Sequence, residues 1–70
     1  MNFIKYGPNL IGTDEILYVI EGNGLTLIRY SDSSELHIKV DFSSDPKKMH
    51  DATKRQTSEI INLIIEKSKS

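Results

Sequence analysis

The sequence predicts an α+β domain: an antiparallel three- to four-stranded meander sheet with one C-terminal helix packed on one face. Three observations predict this fold class. Residues 2–42 consist mostly of short apolar runs separated by turn signals, residues 46–67 have the apolar spacing of a helix, and 70 residues give room for one domain, 1–70. A core of this size supplies only about 3–5 kcal/mol, so a partner contact would add substantially to its stability.

Four strands are predicted, with bounds set by turn residues. The first is residues 2–6, which the sequence GPN closes, and it is short and lies at a sheet edge. The others are residues 15–21, 25–30 and 35–42. They are joined by GNG and SDSS, which suit two-residue hairpin loops because Asn and Gly tolerate a positive φ. Consecutive hairpins predict an antiparallel meander.

One helix is predicted over residues 46–67. Ser44 or Asp45 can accept the free amide hydrogens of its first turn, and Pro46 suits the first helical position because its missing N–H would be unpaired there anyway. At about 100° per residue, one broad face consists of Met49, Thr53, Gln56, Ile60, Leu63 and Ile64, with Ala52 at its margin. The alternative is a fifth strand at residues 59–66, which are rich in β-branched isoleucine.

Strand pairing predicts which sheet face takes the helix. With Asp32 and Ser33 as a two-residue loop, Leu27 lies opposite Ile38, and the alternating strand ELHIKVDF turns its polar residues away from the helix. The face predicted to accept the helix comprises Ile16, Tyr18, Ile20, Leu25, Leu27, Leu36, Ile38, Val40 and Phe42.

The other sheet face also carries apolar residues, and one helix cannot cover both faces. Three alternatives exist for it. The first strand and its turn fold across it, two copies of the chain meet there in a symmetric dimer, or a partner protein docks on it or adds a strand to an edge. The residues predicted to form a protein interface are Leu17, Val19, Ile28 and Tyr30 on the sheet, with Ile61 and Ile65 on the helix.

Charge is unevenly distributed along the chain, whose net charge is −1. Residues 1–44 carry three basic and six acidic side chains, whereas residues 45–70 carry six basic and four acidic ones. The basic side chains that could contact nucleic-acid phosphates lie along the polar side of the helix, and they are Lys47, Lys48, His50, Lys54 and Arg55. The same pattern is typical of ordinary solvated helix charges, so nucleic acid is the less favoured partner.

Catalytic and ligand-binding motifs are mostly absent from the sequence. GNGLTL lacks the third glycine of a dinucleotide fingerprint, because Leu27 stands at that position and a strand follows. Local hairpin hydrogen bonds explain the Asp and Ser residues of SDSSELH better than a catalytic triad with His37. His37 and His50 have no cluster of further metal ligands around them. We therefore predict no enzymatic activity, no catalytic residues, no cofactor and no metal.

Cysteine usage and hydropathy predict the compartment. The chain has no cysteine, which excludes disulfides and thiolate metal sites and permits a reducing environment. The N-terminal residues lack a basic region followed by a long apolar run, and no stretch approaches the ~18 apolar residues of a membrane span. These features predict a soluble, unprocessed, cytoplasmic protein without a membrane partner.

Residues 1–45 follow a recognisable order: a strand, the DEILYVIEGNG hairpin, the LTLIRYSDSSELHIKV hairpin and an acidic-Pro helix start. This layout resembles the small FlbD-like proteins of flagellar operons and short uncharacterised phage and bacterial proteins. Those proteins place I-x-Y-I-E before a polar turn and G/S-x-x-L-x-V after it. The residues here that resemble these motifs are Ile16, Tyr18, Ile20, Glu21, Leu36, Ile38 and Val40. The resemblance implies a small regulatory or accessory role and no catalytic residue.

The function predicted from these features is that of a small non-enzymatic binding or regulatory module. It acts by protein–protein contact, with itself as a homodimer or with another protein. A phage-encoded inhibitor of a host protein is one concrete form of this prediction. The alternative is a nucleic-acid-binding accessory protein that uses the basic side of the helix.

Overall fold

The computed structural model describes residues 2–40 and 45–69. In chain order its elements are β1 (Phe3–Tyr6), β2 (Asn9–Gly12), β3 (Ile16–Glu21), β4 (Leu25–Tyr30), β5 (Glu35–Lys39) and α1 (Pro46–Lys69). The strands form two antiparallel sheets, a β1–β2 hairpin and a β3–β4–β5 meander, and α1 packs against both. This α+β arrangement confirms the predicted fold class.

The first hairpin contains a strand that was not predicted. β1 falls within the predicted strand at residues 2–6, but its partner is β2 rather than the meander. Asn9 and Gly12 at the ends of β2 are poor strand formers, which hides the strand in the sequence. Gly7 turns the chain with a φ of 58°, and the Thr13 N–H donates to Asn2 O at 2.9 Å where the hairpin ends.

The helix begins where the sequence predicts. The Met49 N–H donates to Asp45 O and the Lys47 N–H donates to Asp45 Oδ1, each at 3.0 Å, so Asp45 caps the first turn. Ser44, the other predicted cap, lies outside the described residues. Since α1 runs on to Lys69, the alternative of a fifth strand at residues 59–66 is wrong.

The loop between β4 and β5 has three residues, 31–33, instead of the predicted two. The Tyr30 N–H donates to Ser34 O at 2.9 Å, and Ser33 takes a φ of 73°. The Asp32 carboxylate accepts the Ser34 N–H at 2.9 Å, an interaction that favours this turn. A type I turn followed by one residue in the left-handed region is a common three-residue hairpin connection.

This extra loop residue changes the pairing of β4 with β5. Leu27 pairs with His37 instead of Ile38, and Ile38 pairs with Thr26. Because side chains alternate along a strand, a shift of one residue moves every side chain of β5 to the opposite face relative to β4. The predicted fourth strand also ends earlier, at Lys39, and its predicted residues 41 and 42 lie outside the described part of the chain.

The helix consequently covers the predicted face of β5 but the opposite faces of β4 and of β3 beyond its bulge, so that Ile16, Leu36, Ile38 and Val40 lie under the helix as predicted. The meander side chains on the covered face are Ile16, Val19, Thr26, Ile28, Tyr30, Leu36, Ile38 and Val40. Members of the predicted helix-facing set that lie on the other side are Tyr18, Ile20, Leu25 and Leu27. A β-bulge between Ile16 and Tyr18 separates these two residues onto different faces.

One cluster of buried isoleucines joins the hairpin, the meander and the helix. Its members are Ile4 and Ile11 from the hairpin, Ile28 and Ile38 from the meander, and Ile60 from α1. The hairpin therefore shares the covered face with α1, as in the alternative in which the first strand and its turn fold across that face. Of the predicted helix face, Thr53, Gln56 and Ile60 are buried and Met49, Ala52, Leu63 and Ile64 are half-buried, which confirms that prediction.

A buried polar group also connects the helix to the sheet. The Gln56 Nε2 donates to Thr26 Oγ1 at 3.1 Å and to Ile38 O at 2.8 Å, and the Thr26 and Thr57 hydroxyls lie 2.8 Å apart. These contacts bridge β4, β5 and α1, so they fix the position of the helix along the sheet as well as its face.

The open sheet face as a candidate contact surface

The meander leaves the face opposite the helix without a covering element among residues 2–40 and 45–69. We call this surface the open face. Its side chains are Tyr18, Ile20, Leu25, Leu27, Arg29, Glu35, His37 and Lys39. Tyr18 and Ile20 are 44% and 48% exposed, whereas Ile28 on the covered face is 0% exposed. The register of the three strands therefore places these apolar residues on the exposed face.

Strand pairing arranges the open face in three rows that cross the sheet. The first row is Tyr18, Arg29 and Glu35, the middle row is Ile20, Leu27 and His37, and the last row is Gly22, Leu25 and Lys39. The β3 side of the face is therefore apolar and the β5 side is polar. Leu17, the bulged residue beside the first row, is 61% exposed and extends the apolar side.

Charges on the β5 side are organised around Glu35. The Arg29 guanidinium donates a short hydrogen bond to Glu35, and His37 Nε2 lies 3.5 Å from Glu35 Oε1. The hydrogen bond from Arg29 lowers the pKa of the Glu35 carboxyl, and His37 adds to the effect. Lys39, at the other end of β5, takes part in neither of these two ion pairs. The polar side thus carries a negative group in the first row and a positive group in the last row.

The β5 edge of the meander is less suited to a partner than its face. In the described part of the chain, β3 and β5 each pair only with β4, so both are edge strands. The outward backbone groups of β5 belong to Glu35, His37 and Lys39, because their neighbours along the strand bond to β4. Charged side chains at an edge discourage addition of another strand. The open face is the stronger candidate for contact.

The predicted interface residues do not form one surface. Ile28 is fully buried and Val19 is half-buried in the core, so the prediction placed both on the wrong side. Tyr30 is half-buried too, its hydroxyl donates to Gly12 O at 2.9 Å, and burial raises its pKa. Leu17 is exposed at the bulge. On a flank of α1, Ile61 is half-buried and Ile65 is exposed, and neither belongs to the open face.

The predicted nucleic-acid residues are all exposed on α1, and they are Lys47, Lys48, His50, Lys54 and Arg55. Residues seven apart lie on nearly the same side of a helix and about 10 Å apart along it. Lys47 with Lys54 and Lys48 with Arg55 therefore make two parallel rows of cations. His50 Nδ1 lies 3.7 Å from Glu21 Oε2, which ties this part of α1 to the end of β3.

Sequence reasoning did not place Tyr18, Ile20, Leu25 and Leu27 on the open face. Tyr18 and Ile20 are exposed there, whereas Leu25 and Leu27 are half-buried. One signal could have identified the correct face. The inward side of α1 carries Thr53, Gln56 and Thr57, and buried polar groups need hydrogen-bond partners. β4 carries its two hydroxyl-bearing residues, Thr26 and Tyr30, on one face, so that face should have been placed under the helix.

A small pocket lies between the N-terminal residues and the end of α1. Its lining residues are Asn2, Thr13, Asp14, Ile64, Lys67 and Ser68, and its volume is about 150 Å³. Small-molecule sites usually measure about 300–1,000 Å³. Asn2 and Asp14 are also hydrogen-bonded to each other, the Asn2 N–H donating to Asp14 Oδ2 at 3.1 Å. The open face is therefore a better candidate site than this pocket.

Two further findings concern the described residues alone. Across residues 2–40 and 45–69, His, Asp and Glu side chains form no group of three that could hold a metal ion. The helix in this part of the chain is not apolar enough to cross a membrane.

The chain gives no significant match to a family model, to a curated protein or to a solved structure.

Proposed function

We propose that the chain is a small non-enzymatic binding module that acts by protein–protein contact through the open face. The observation that carries the proposal is the exposure of Tyr18 and Ile20 on a sheet whose opposite face is closed by α1 and the β1–β2 hairpin. Contiguous apolar residues with a polar rim are typical of association sites. Here Leu25 and Leu27 continue the apolar surface, and the polar side of the sheet supplies the rim.

The residue types of the open face support contact with a protein. Tyrosine and arginine are enriched at interfaces, where a large side chain buries area and its polar end keeps a hydrogen-bond partner. Tyr18 and Arg29 are cross-strand neighbours in the first row. A regulatory or accessory role and a cytoplasmic location, both predicted from the sequence, belong to this proposal. Inhibition of a host protein by a phage-encoded module is its most concrete form.

Site-specific photo-cross-linking tests the proposal. A photoreactive phenylalanine analogue replaces Tyr18 in one variant and Leu10 in another, and both are expressed in the source cells and irradiated. Leu10 is the matched control because it is apolar, lies on a strand and is 66% exposed, more than Tyr18. We expect protein adducts from position 18 and few or none from position 10. Equal adducts from both positions, or none from position 18, would contradict the proposal.

A second candidate function is nucleic-acid binding by the cationic rows of α1. The observation in its favour is the position of Lys47 and Lys48 in the first helical turn, where the helix dipole disfavours positive charge. A phosphate bound near that turn would relieve this repulsion. Binding of this kind depends steeply on salt, because each phosphate contact releases counterions.

A charge-reversal variant separates the two functions. Lys47, Lys54 and Arg55 are replaced by Glu, and the control variant carries Lys5→Glu and Lys69→Glu, which reverse exposed charges elsewhere. If nucleic acid is the partner, mobility shifts on DNA or RNA disappear only in the first variant, and each lost contact lowers the log–log salt slope by about one. If the open face is the site, neither variant loses its position-18 adducts.

A further inference from the structure

We propose that the partner of the open face is a second copy of this chain, packed face to face about a two-fold axis that crosses the strands. This inference rests on the proposed function and adds the identity and arrangement of the partner. The axis runs along the middle row, above Ile20, Leu27 and His37. A two-fold interface uses the same surface on both copies, so each contact occurs twice.

On the two outer strands, β3 and β5, this axis places like polarity on like polarity. On β4 it places Arg29 of one copy over Leu25 of the other, with the Arg29 guanidinium still bonded to Glu35 of its own chain. It keeps β3 over β3 and β5 over β5 of the second copy, so the apolar side of one open face meets the apolar side of the other. Ile20 and Leu27 lie closest to the axis and pack against the same residues of the second copy. Sheets that pack face to face keep their strand directions within about 30°, and this arrangement is of that aligned kind.

The same axis exchanges the first and last rows, which gives charge complementarity on the polar side. Glu35 of each copy lies opposite Lys39 of the other, so two equivalent ion pairs form. Lys39 takes part in neither ion pair of the open face within one chain. Glu35 already accepts from Arg29 and lies 3.5 Å from His37 Nε2, and it can accept a further bond from Lys39 of the second copy, since a carboxylate has about four acceptor sites.

The exchange of rows also determines what lies opposite Tyr18. It places Tyr18, the largest apolar side chain of the first row, over Gly22 of the last row. A methyl group at Gly22 would come within 2.9 Å of Leu25 Cδ1 of the same chain, so the Leu25 side chain occupies the space beside Gly22. Tyr18 of one copy therefore packs against Leu25 of the other, which is an apolar contact.

The other axis in the plane of the face gives a poor match. A two-fold axis parallel to the strands would place β3 over β5, so Tyr18 would face Glu35 and Ile20 would face His37 of the second copy. Burying charged groups against apolar ones without hydrogen-bond partners is unfavourable. The pattern of the open face therefore selects the axis that crosses the strands.

The size of the surface sets the expected affinity. Each copy contributes about eight side chains, whereas a standard interface of about 800 Å² per partner uses roughly 20–30 residues a side. The expected dimer is therefore a weak one that exchanges with the monomer, with a dissociation constant in the micromolar range or higher. Sedimentation of the full chain should show average mass rising with concentration.

Charge-swap variants test the pairing of Glu35 with Lys39 of the second copy. Glu35→Lys alone and Lys39→Glu alone should each lower dimer affinity at least tenfold, because like charges then face each other in both pairs. An equimolar mixture of the two variants should form a heterodimer of restored affinity, since both pairs regain opposite charges. Damage to the fold would not be repaired by mixing. Single variants that dimerise like the parent, or a mixture that stays monomeric, would overturn the arrangement.

Cross-link mapping tests the axis without changing a charge. The variant with the photoreactive group at position 18 is mixed with ¹⁵N-labelled parent chain near millimolar concentration, irradiated, digested and analysed by mass spectrometry. We expect cross-links from position 18 to residues 22–25 of the labelled copy. Cross-links to residues 35–39, or no cross-link to the labelled copy, would overturn the inference.

The two tests distinguish failure of the dimer from failure of the proposed function. If the chain stays monomeric at millimolar concentration but yields position-18 adducts with another protein in cells, the proposed function is supported and the dimer is contradicted. If position 18 gives no adduct at all, both proposals are contradicted.

Discussion

At the scale of single residues, hydrogen bonds buried between helix and sheet determine which face is covered. Thr26 and Gln56 each serve two partners, and no described side chain with a fully buried polar atom lacks a hydrogen bond. Leaving a buried polar group unpaired costs about 1–3 kcal/mol. A chain in which α1 moved to the open face would leave Gln56 and Thr57 over apolar leucines.

Removal of one hydroxyl tests this buried polar group. Thr57→Val should lower the free energy of unfolding by about 1 kcal/mol or more, because Thr26 loses a hydrogen-bond partner while the shape is kept. The double variant Thr26→Val/Thr57→Val should lose less free energy of unfolding than the two single variants together, since the two hydroxyls share one hydrogen bond. Urea unfolding measures these values, with the exposed Ser58→Ala as control. Additive effects of the two threonine changes would contradict this description.

The loop carboxylate gives a pH-dependent prediction. Hydrogen bonds from the Ser34 side chain and then its backbone lower the pKa of Asp32. A folded-state pKa below the unfolded one stabilises the protein above the unfolded pKa, and this stabilisation is lost as pH falls through the folded pKa. Ser34→Ala should raise the pKa of Asp32 towards its ordinary value without fully restoring it, because the backbone N–H remains. An NMR titration in which the pKa of Asp32 does not change would contradict this assignment.

At the scale of elements, the number of loop residues determines on which sheet face the side chains of a whole strand lie. The prediction of β3, β4, β5 and the helix succeeded because apolar spacing and caps are local features of the sequence. The faces of β4, and of β3 beyond its bulge, were exchanged relative to β5 because SDSS suits a two-residue or a three-residue loop, and the choice depends on Ser33 in the left-handed region. That choice is a property of the folded hairpin, so periodicity alone could not reveal it.

A glycine substitution tests the loop conformation. A non-glycine residue in the left-handed region costs about 1–2 kcal/mol, and glycine gives back about 0.5–1 kcal/mol through its greater freedom in the unfolded chain. Ser33→Gly should therefore stabilise the protein by up to about 1 kcal/mol. Ser31→Gly, in the same loop but without a positive φ, should destabilise it. Thermal unfolding of both variants measures the difference, and the reverse order would indicate a two-residue loop.

At the scale of the whole molecule, the helix and the short hairpin of the described residues close one face of the three-stranded sheet. Of the predicted interface residues on the sheet, Val19, Ile28 and Tyr30 lie on the face that α1 and the hairpin close, and Leu17 is exposed. The face without a covering element among the described residues is the opposite one. Which face stays open follows from the register of β5, and the register follows from the loop.

A matched pair of substitutions measures this asymmetry. Ile28→Ala should lower the free energy of unfolding by about 2–5 kcal/mol, because it opens a cavity in the isoleucine cluster. Ile20→Ala removes the same atoms from the opposite face, where the side chain is about half exposed. It should lower the free energy of unfolding by well under half as much as Ile28→Ala does. Chemical unfolding at low protein concentration compares the two variants. Equal losses would mean that both faces are covered within one chain.

The exposure of methyl groups to a paramagnetic co-solute tests the open face as the contact surface most directly. In dilute protein, a soluble gadolinium chelate should strongly relax the methyl resonances of Ile20 while leaving those of Ile28, Ile38 and Ile60 nearly unchanged. When the partner is added, or when the concentration is raised if the partner is a second copy, the relaxation of Ile20 should fall. Strong relaxation of Ile28, or relaxation of Ile20 that stays constant while the complex forms, would contradict the account.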